Sequence, residues 1–244
     1  MILLKKLALV VSIVFGGSLV LAAAAFAAAS GGGGDLGPGS YAFTSKDASA
    51  YFGTLKGGPP GQSFMVSVDQ GLNSFRPKDP KGPRTVMNST MVTLILFDDV
   101  GNSTYGCFII NPADFTASKD LQSASVHTTL TTDEVCPGFG TPVTGTASAG
   151  PFAFGGGGTG LSLPISLDVT WTGLGVTSTG SDRNTFQCLD YSTQFISTYN
   201  ASNANAAGTM SAIAGSFSTQ SAVVSSSAEH ATIKGAIQPA CFPQ

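Results

Sequence analysis

Between Leu161 and Trp171 apolar and polar residues alternate without a break. Leu161, Leu163, Ile165, Leu167, Val169 and Trp171 take one side, and Ser162, Pro164, Ser166, Asp168 and Thr170 the other. Only extended backbone, whose successive side chains point to opposite faces, turns this pattern into one apolar and one polar surface. The chain therefore supplies a sheet with one covered face and one wet face. Pro164 has no amide hydrogen to give to a ladder, which places the strand at an edge or a bulge. Thr172-Gly173-Leu174-Gly175 then reads as a turn.

The same period recurs along the chain. Phe64, Val66 and Val68 alternate with Met65 and Ser67. The nearly all-apolar run 90–97 suits a strand covered on both faces, and 105–110 follows it across Asp98-Asp99-Val100-Gly101-Asn102 as a hairpin. Ala124, Val126, Thr128 and Leu130 alternate with Ser125, His127 and Thr129. Weaker strand signals lie at 185–189, 194–199, 209–217, 222–226 and 230–237, and 200–207 reads as loop. In 46–55 the period is ambiguous: Ala48, Tyr51, Phe52 and Leu55 fit one helical face, while Ala48, Ala50 and Phe52 alternate. Gly57-Gly58-Pro59-Pro60-Gly61 and the glycine-rich stretch 150–160 are connections. The expected fold is all-β, an antiparallel β-sandwich or two small β-layers or lobes with a sub-boundary near 115–121.

The N-terminus sets the address. Lys5 and Lys6 precede an uncharged run to Ser30 that ends in small residues, and Ala25-Phe26-Ala27 fits a signal-peptidase site. Residues 1–27 are thus expected to be a cleaved signal peptide, 28–40 a glycine-rich flexible leader, and 41–244 the all-β body. The rival reading is a retained membrane anchor, because the run exceeds the roughly 18 apolar residues needed to span a bilayer. The expected location is the cell envelope or the exterior. Of the 11 Lys and Arg, cleavage removes two and no acid, leaving 9 against 14 Asp and Glu, or −5. That balance argues against nucleic acid and anionic membrane as partners. Only 10% of the chain is charged, against about 25% in typical domains, so the surface is built from Ser, Thr, Asn, Gln and Gly.

Cys107, Cys136, Cys188 and Cys241 all follow the signal. An even count in an exported chain reads as two disulfides. Three connectivities are open, and nearness in sequence favours Cys107–Cys136 with Cys188–Cys241. Each bridge typically adds about 2–4 kcal/mol.

Two segments carry a resemblance. Leu121-Gln122-Ser123-Ala124-Ser125-Val126, followed after a variable stretch by Val169-Thr170-Trp171-Thr172-Gly173-Leu174-Gly175, resembles a pattern in exported bacterial all-β proteins of no assigned function. It covers roughly the second half of the chain. It implies a secreted all-β body and carries over no catalytic residues. The cysteines and the glycine-rich segment stand outside it.

Residues that carry chemistry are sparse. His127, on a wet strand face, and His230, after Glu229, are candidate bases for a secreted hydrolase, but the secreted part has no Gly-x-Ser-x-Gly elbow. Asp98, Asp99 and Asn102 offer hard oxygens to calcium, although Asp, Asn and Gly are also what a tight turn needs. Asp133, Glu134 and Asp168 are the candidates for a glycosidase pair. Arg76, Lys78, Lys81 and Arg84, spaced by Pro77, Pro80 and Pro83, form an exposed basic loop fit for an acidic polymer or a cell-wall phosphate. Tyr191 and Tyr199 are candidate platforms for sugar rings, while Trp171 is in phase with the buried face. Asn88, Asn102 and Asn200 begin N-x-S/T sequons.

The expected function is a secreted or cell-envelope protein that binds without catalysing, with an envelope component or glycan as partner. The alternatives are a carbohydrate-binding or lectin-like module, with calcium as its one candidate cofactor, and a secreted hydrolase. No catalytic residue and no metal ligand is assigned.

Overall fold

A computed structural model describes residues 38–53, 63–78, 81–97, 103–131 and 163–235. The signal segment, the leader up to residue 37, the 98–102 turn, Cys136, the 150–160 connection and Cys241 lie outside the described residues.

Among the described residues nine strands follow one another: β1 Gly39–Phe52, β2 Ser63–Pro77, β3 Thr85–Phe97, β4 Ser103–Ile110, β5 Phe115–Ala117, β6 Ser123–Leu130, β7 Ile165–Cys188, β8 Tyr191–Met210 and β9 Ile213–Lys234. A 3-10 turn at Pro112–Asp114 joins β4 to β5. All pairings are antiparallel. Among the described residues the strands form one hydrogen-bonded sheet in the order β4-β3-β2-β1-β9-β8-β7-β6-β5. The all-β antiparallel class is therefore as expected, but the ladder runs through without dividing into two sheets.

Strands β7, β8 and β9 have 24, 20 and 22 residues, far more than the 3–10 usual in globular proteins. They are long enough to serve two regions. In the upper region the sheet bends over one core, which joins Ala48, Phe52, Val66 and Phe108 to Val126, Leu167, Trp171 and Met210. The Trp171 indole N–H donates to the Ser49 carbonyl at 3.0 Å, linking β7 to β1 although β8 and β9 lie between them in the ladder. Phe217 packs edge-on against Phe52 and Phe64, with ring centroids 4.6 and 4.9 Å away. Such pairs add about 0.5–1.5 kcal/mol beyond burial. Polar groups close the base of the core. Lys46 Nζ donates to the Ala117 carbonyl at 2.9 Å, and Gln70 Nε2 to the Pro112 carbonyl at 3.0 Å.

Below that closure, β2, β1, β9, β8 and β7 continue as a single layer. The face that builds the core above becomes an open, wet inner face here. The outer face carries Tyr41, Phe43, Phe75, Phe195 and Tyr199. Phe43 reaches across Gly71, and Tyr199 covers Gly180 so closely that any Cβ there would overlap its ring. Aromatic rings laid over strand glycines shield the backbone there.

Several local expectations are corrected. Residues 46–52 belong to β1, so the period of two prevails over the helical one. Residues 200–207 are strand, inside β8. Pro164 precedes the first paired residue of β7, whose opening stretch, 165–172, is flanked by β6 and β8 and is not an edge there. Thr172-Gly173-Leu174-Gly175 does not turn the chain. It forms a bulge in β7, with a register shift between Gly173 and Thr177 and Gly175 at φ +76°. The 209–217 signal is split by the turn between β8 and β9.

Candidate functional site

The most distinctive chemistry sits at the open lower end. Gly39 opens β1 opposite both Pro77 of β2 and Ile233 of β9. A side chain at Gly39 would overlap the Arg76 carbonyl, so glycine is what lets the strands close up. Beyond β2 the Lys78 amide donates to the Pro38 carbonyl at 2.8 Å, and Lys78 bridges to Lys81. The chain thus folds back on itself and presents both lysines on one side. Lys234 arrives from the end of β9. The result is a cleft of about 270 Å³ whose lining residues include Arg76, Lys78, Lys81, Lys234, Ser40 and Thr232. Among the described residues no carboxylate lines it and none pairs with these four cations; Asp79, between the two lysines, lies outside them. An arginine fork can grip a planar oxyanion through two parallel hydrogen bonds, and lysines add mobile point charges.

The basic loop read from the sequence is therefore brought together only in part. Arg76, Lys78 and Lys81 share the cleft. Arg84 does not line it: its Nη2 donates to Ser74 Oγ at 2.7 Å. Lys234 went unnoticed in the sequence, because nothing in its surroundings says that β9 pairs with β1.

The histidines do not meet. His127 and Asp168 are direct partners across β6 and β7, with Nδ1 to Oδ2 at 3.2 Å and side chains 87% and 57% exposed. Two candidates thus form one pair, with both side chains exposed to water. His230 is exposed on β9, opposite Ala42 and Ile196. Asp98, Asp99, Asn102, Asp133 and Glu134 lie outside the described residues, as does the Tyr191 side chain. Tyr199 is 42% exposed. Among the described residues no three His, Cys, Asp or Glu side chains gather as metal ligands would.

A carboxylate pair that the sequence did not suggest lies on the outer face. Asp47 and Asp69 are direct partners on β1 and β2, where like charges repel. Burial, then hydrogen bonding to Asp69 and the charge of that carboxylate, hold Asp47 well above the ordinary carboxylate range, while bonds from Ser45 and Ser225 work the other way. Ser45 Oγ donates to Asp47 Oδ2 at 2.8 Å. Nearby, burial raises Glu229. Burial and the Glu229 charge push Tyr41 up to about 12, and its hydroxyl donates to Asn73 Oδ1 at 2.9 Å.

The two segments that carry the resemblance interlock. Ala124 pairs with Trp171 and Ser123 with Thr172. The Gly173 amide donates to the Gln122 carbonyl at 2.8 Å, and the Gly175 amide to Gln122 Oε1 at 3.1 Å. A Cβ at Gly173 would lie 2.8 Å from the Leu121 oxygen. The pattern is thus a packing unit: a buried leucine, a reaching glutamine and the bulge that receives it.

Cys107 is buried in β4 and is not a free thiol. Cys136, Cys241 and the Cys188 side chain lie outside the described residues. No family model, curated protein or solved structure matches the chain.

Proposed function

We propose that this is an exported, non-catalytic β-protein of the envelope or exterior that holds anionic groups of a glycan in the cleft of Arg76, Lys78, Lys81 and Lys234. The observation that carries the reading is the convergence of four cations from two remote segments on one cleft, with no carboxylate among its described lining residues. With 9 basic residues against 14 acidic after the signal, such a gathering is local and not a product of overall charge. Ser40 and Thr232 beside the cations suit a ligand rich in hydroxyl groups. Binding is favoured over hydrolysis because the His127–Asp168 pair is exposed, where water screens charge and competes for hydrogen bonds.

Export supplies the context in which the cysteines pair, Cys107 with Cys136 and Cys188 with Cys241. Cys188 ends β7 next to Tyr191, and Ser192 pairs with Lys234. Cys188 therefore stands close to the end of β9, seven residues before Cys241. Non-reducing peptide mapping of the secreted chain checks this pairing. The function is tested by calorimetric titration with oligogalacturonate and with sulfated dextran fragments. Binding that weakens with salt supports the reading, and absence of binding to both refutes it.

A further inference from the structure

We infer that the ligand is an extended anionic glycan chain, which leaves the cleft and crosses five strands of the open inner face to Arg183 on β7. The inference rests on reading the cleft as an anion site and goes beyond it, since a single anion would need the cleft alone.

Alternation along each strand, with the cross-strand registers, assigns every charged strand residue to a face. Lys46, Arg76, Arg183 and Lys234 are all on the inner face, and Asp47, Asp69, Asp168, Asp182 and Glu229 are all on the outer face. Among the described strand residues of the single-layer region, the inner face therefore carries cations and no acid. Lys46 is occupied by the Ala117 carbonyl. The others fall along two adjacent cross-strand rows or at their end. One row runs Arg76, Ser40, Thr232, Gln194, Thr185 from β2 to β7, and Lys234 lies just beyond it on β9. The next runs Ser74, Ala42, His230, Ile196, Arg183, with Arg84 bonded to Ser74.

Four inter-strand steps of about 4.8 Å give a track of ~19 Å, which several sugar rings would fill and one anion would not. Between its charged ends the track offers hydroxyl, amide and imidazole groups, each able to donate or accept. Those groups match a polyhydroxylated chain with acidic substituents. The aromatic side chains described in this region (Tyr41, Phe43, Phe75, Phe195, Tyr199) are all on the outer face, so among the described residues the track has no platform on which nucleic-acid bases would stack. The acidic group is a carboxylate, sulfate or phosphate ester, since the same cations serve all three.

The test is affinity against chain length, by calorimetry, for oligogalacturonates and separately for sulfated dextran fragments. Whichever series binds tighter names the acidic group. Affinity is expected to rise with length until the oligomer spans the track, and then to level off. Arg183→Ala is expected to weaken long oligomers about fivefold, the size of one solvent-exposed charge contact, and to leave the shortest unchanged. Gln194→Ala, which removes no charge, should weaken the long oligomers less, and the melting temperature of each variant checks its fold. Affinity independent of length, with Arg183→Ala silent, overturns the extended track and leaves the cleft standing. No binding at any length overturns both.

Discussion

Replacing Trp171 tests whether the single sheet bends around one core. Trp171 is fully buried, and its indole N–H is given to the Ser49 carbonyl on β1. Trp171→Phe keeps most of the ring but takes the indole donor from that carbonyl and leaves the space of the lost ring, at a cost of about 1–3 kcal/mol. Trp171→Ala also opens a cavity and should cost about 3–5 kcal/mol, a large share of the 5–15 kcal/mol typical of a folded domain. With a urea slope of about 2 kcal/mol per molar, the phenylalanine variant should move the unfolding midpoint by about 0.5–1.5 M. The assay is urea unfolding of the chain without its first 27 residues, followed by far-ultraviolet circular dichroism. Trp171 is the chain's single tryptophan, so wild-type fluorescence reports its surroundings directly. A blue-shifted native emission that moves red on unfolding is expected. A solvent-like native emission, or a midpoint unchanged in Trp171→Phe, would refute the bent sheet.

Asp47 makes stability depend on pH. Its folded pKa is raised, so the folded chain keeps a proton that the unfolded chain releases; the resulting stabilisation is complete below the ordinary carboxylate pKa and is lost as pH rises through the raised value. Asp47→Asn should flatten urea stability against pH and exceed wild type at the high end, whereas parallel curves would contradict the raised pKa of Asp47. Gly173→Ala places a Cβ against the Leu121 carbonyl and Gln122 backbone, and should cost about 1–3 kcal/mol in the same unfolding assay. Tyr41 should ionise near pH 12; difference absorbance of wild type against Tyr41→Phe reads this, and ionisation near the ordinary phenol value would count against its burial beside Glu229.

The parts of the fold legible in the sequence are those fixed by local alternation. Residues 165–171 announce a half-buried strand because each apolar residue finds the same side, and the structure buries Ile165, Leu167, Val169 and Trp171 together. Residues 200–207 were illegible because asparagine, alanine and glycine disfavour strands locally. Their conformation comes from the ladders on either side. Ala206 lies directly opposite Trp171, where a small residue leaves room for the indole. The bulge at 173–175 has the composition of a turn, and only the reach of Gln122 distinguishes the two. The candidate site was half legible. The loop basics are near neighbours in sequence, but Lys234 joins them only through the pairing of the first strand with the last. Charge segregation between faces follows from parity plus register, and register is a property of the whole sheet.

The central claim is that the lower cleft is an anion site for a glycan. Its most direct test is calorimetric titration of oligogalacturonate and sulfated dextran into wild type and into the triple variant Lys78→Ala, Lys81→Ala, Lys234→Ala, at low and high salt. The account predicts saturable wild-type binding that weakens with salt and is lost in the triple variant, with the melting temperature nearly unchanged because all three side chains are exposed. Equal binding by the two proteins, or none by either, would contradict it.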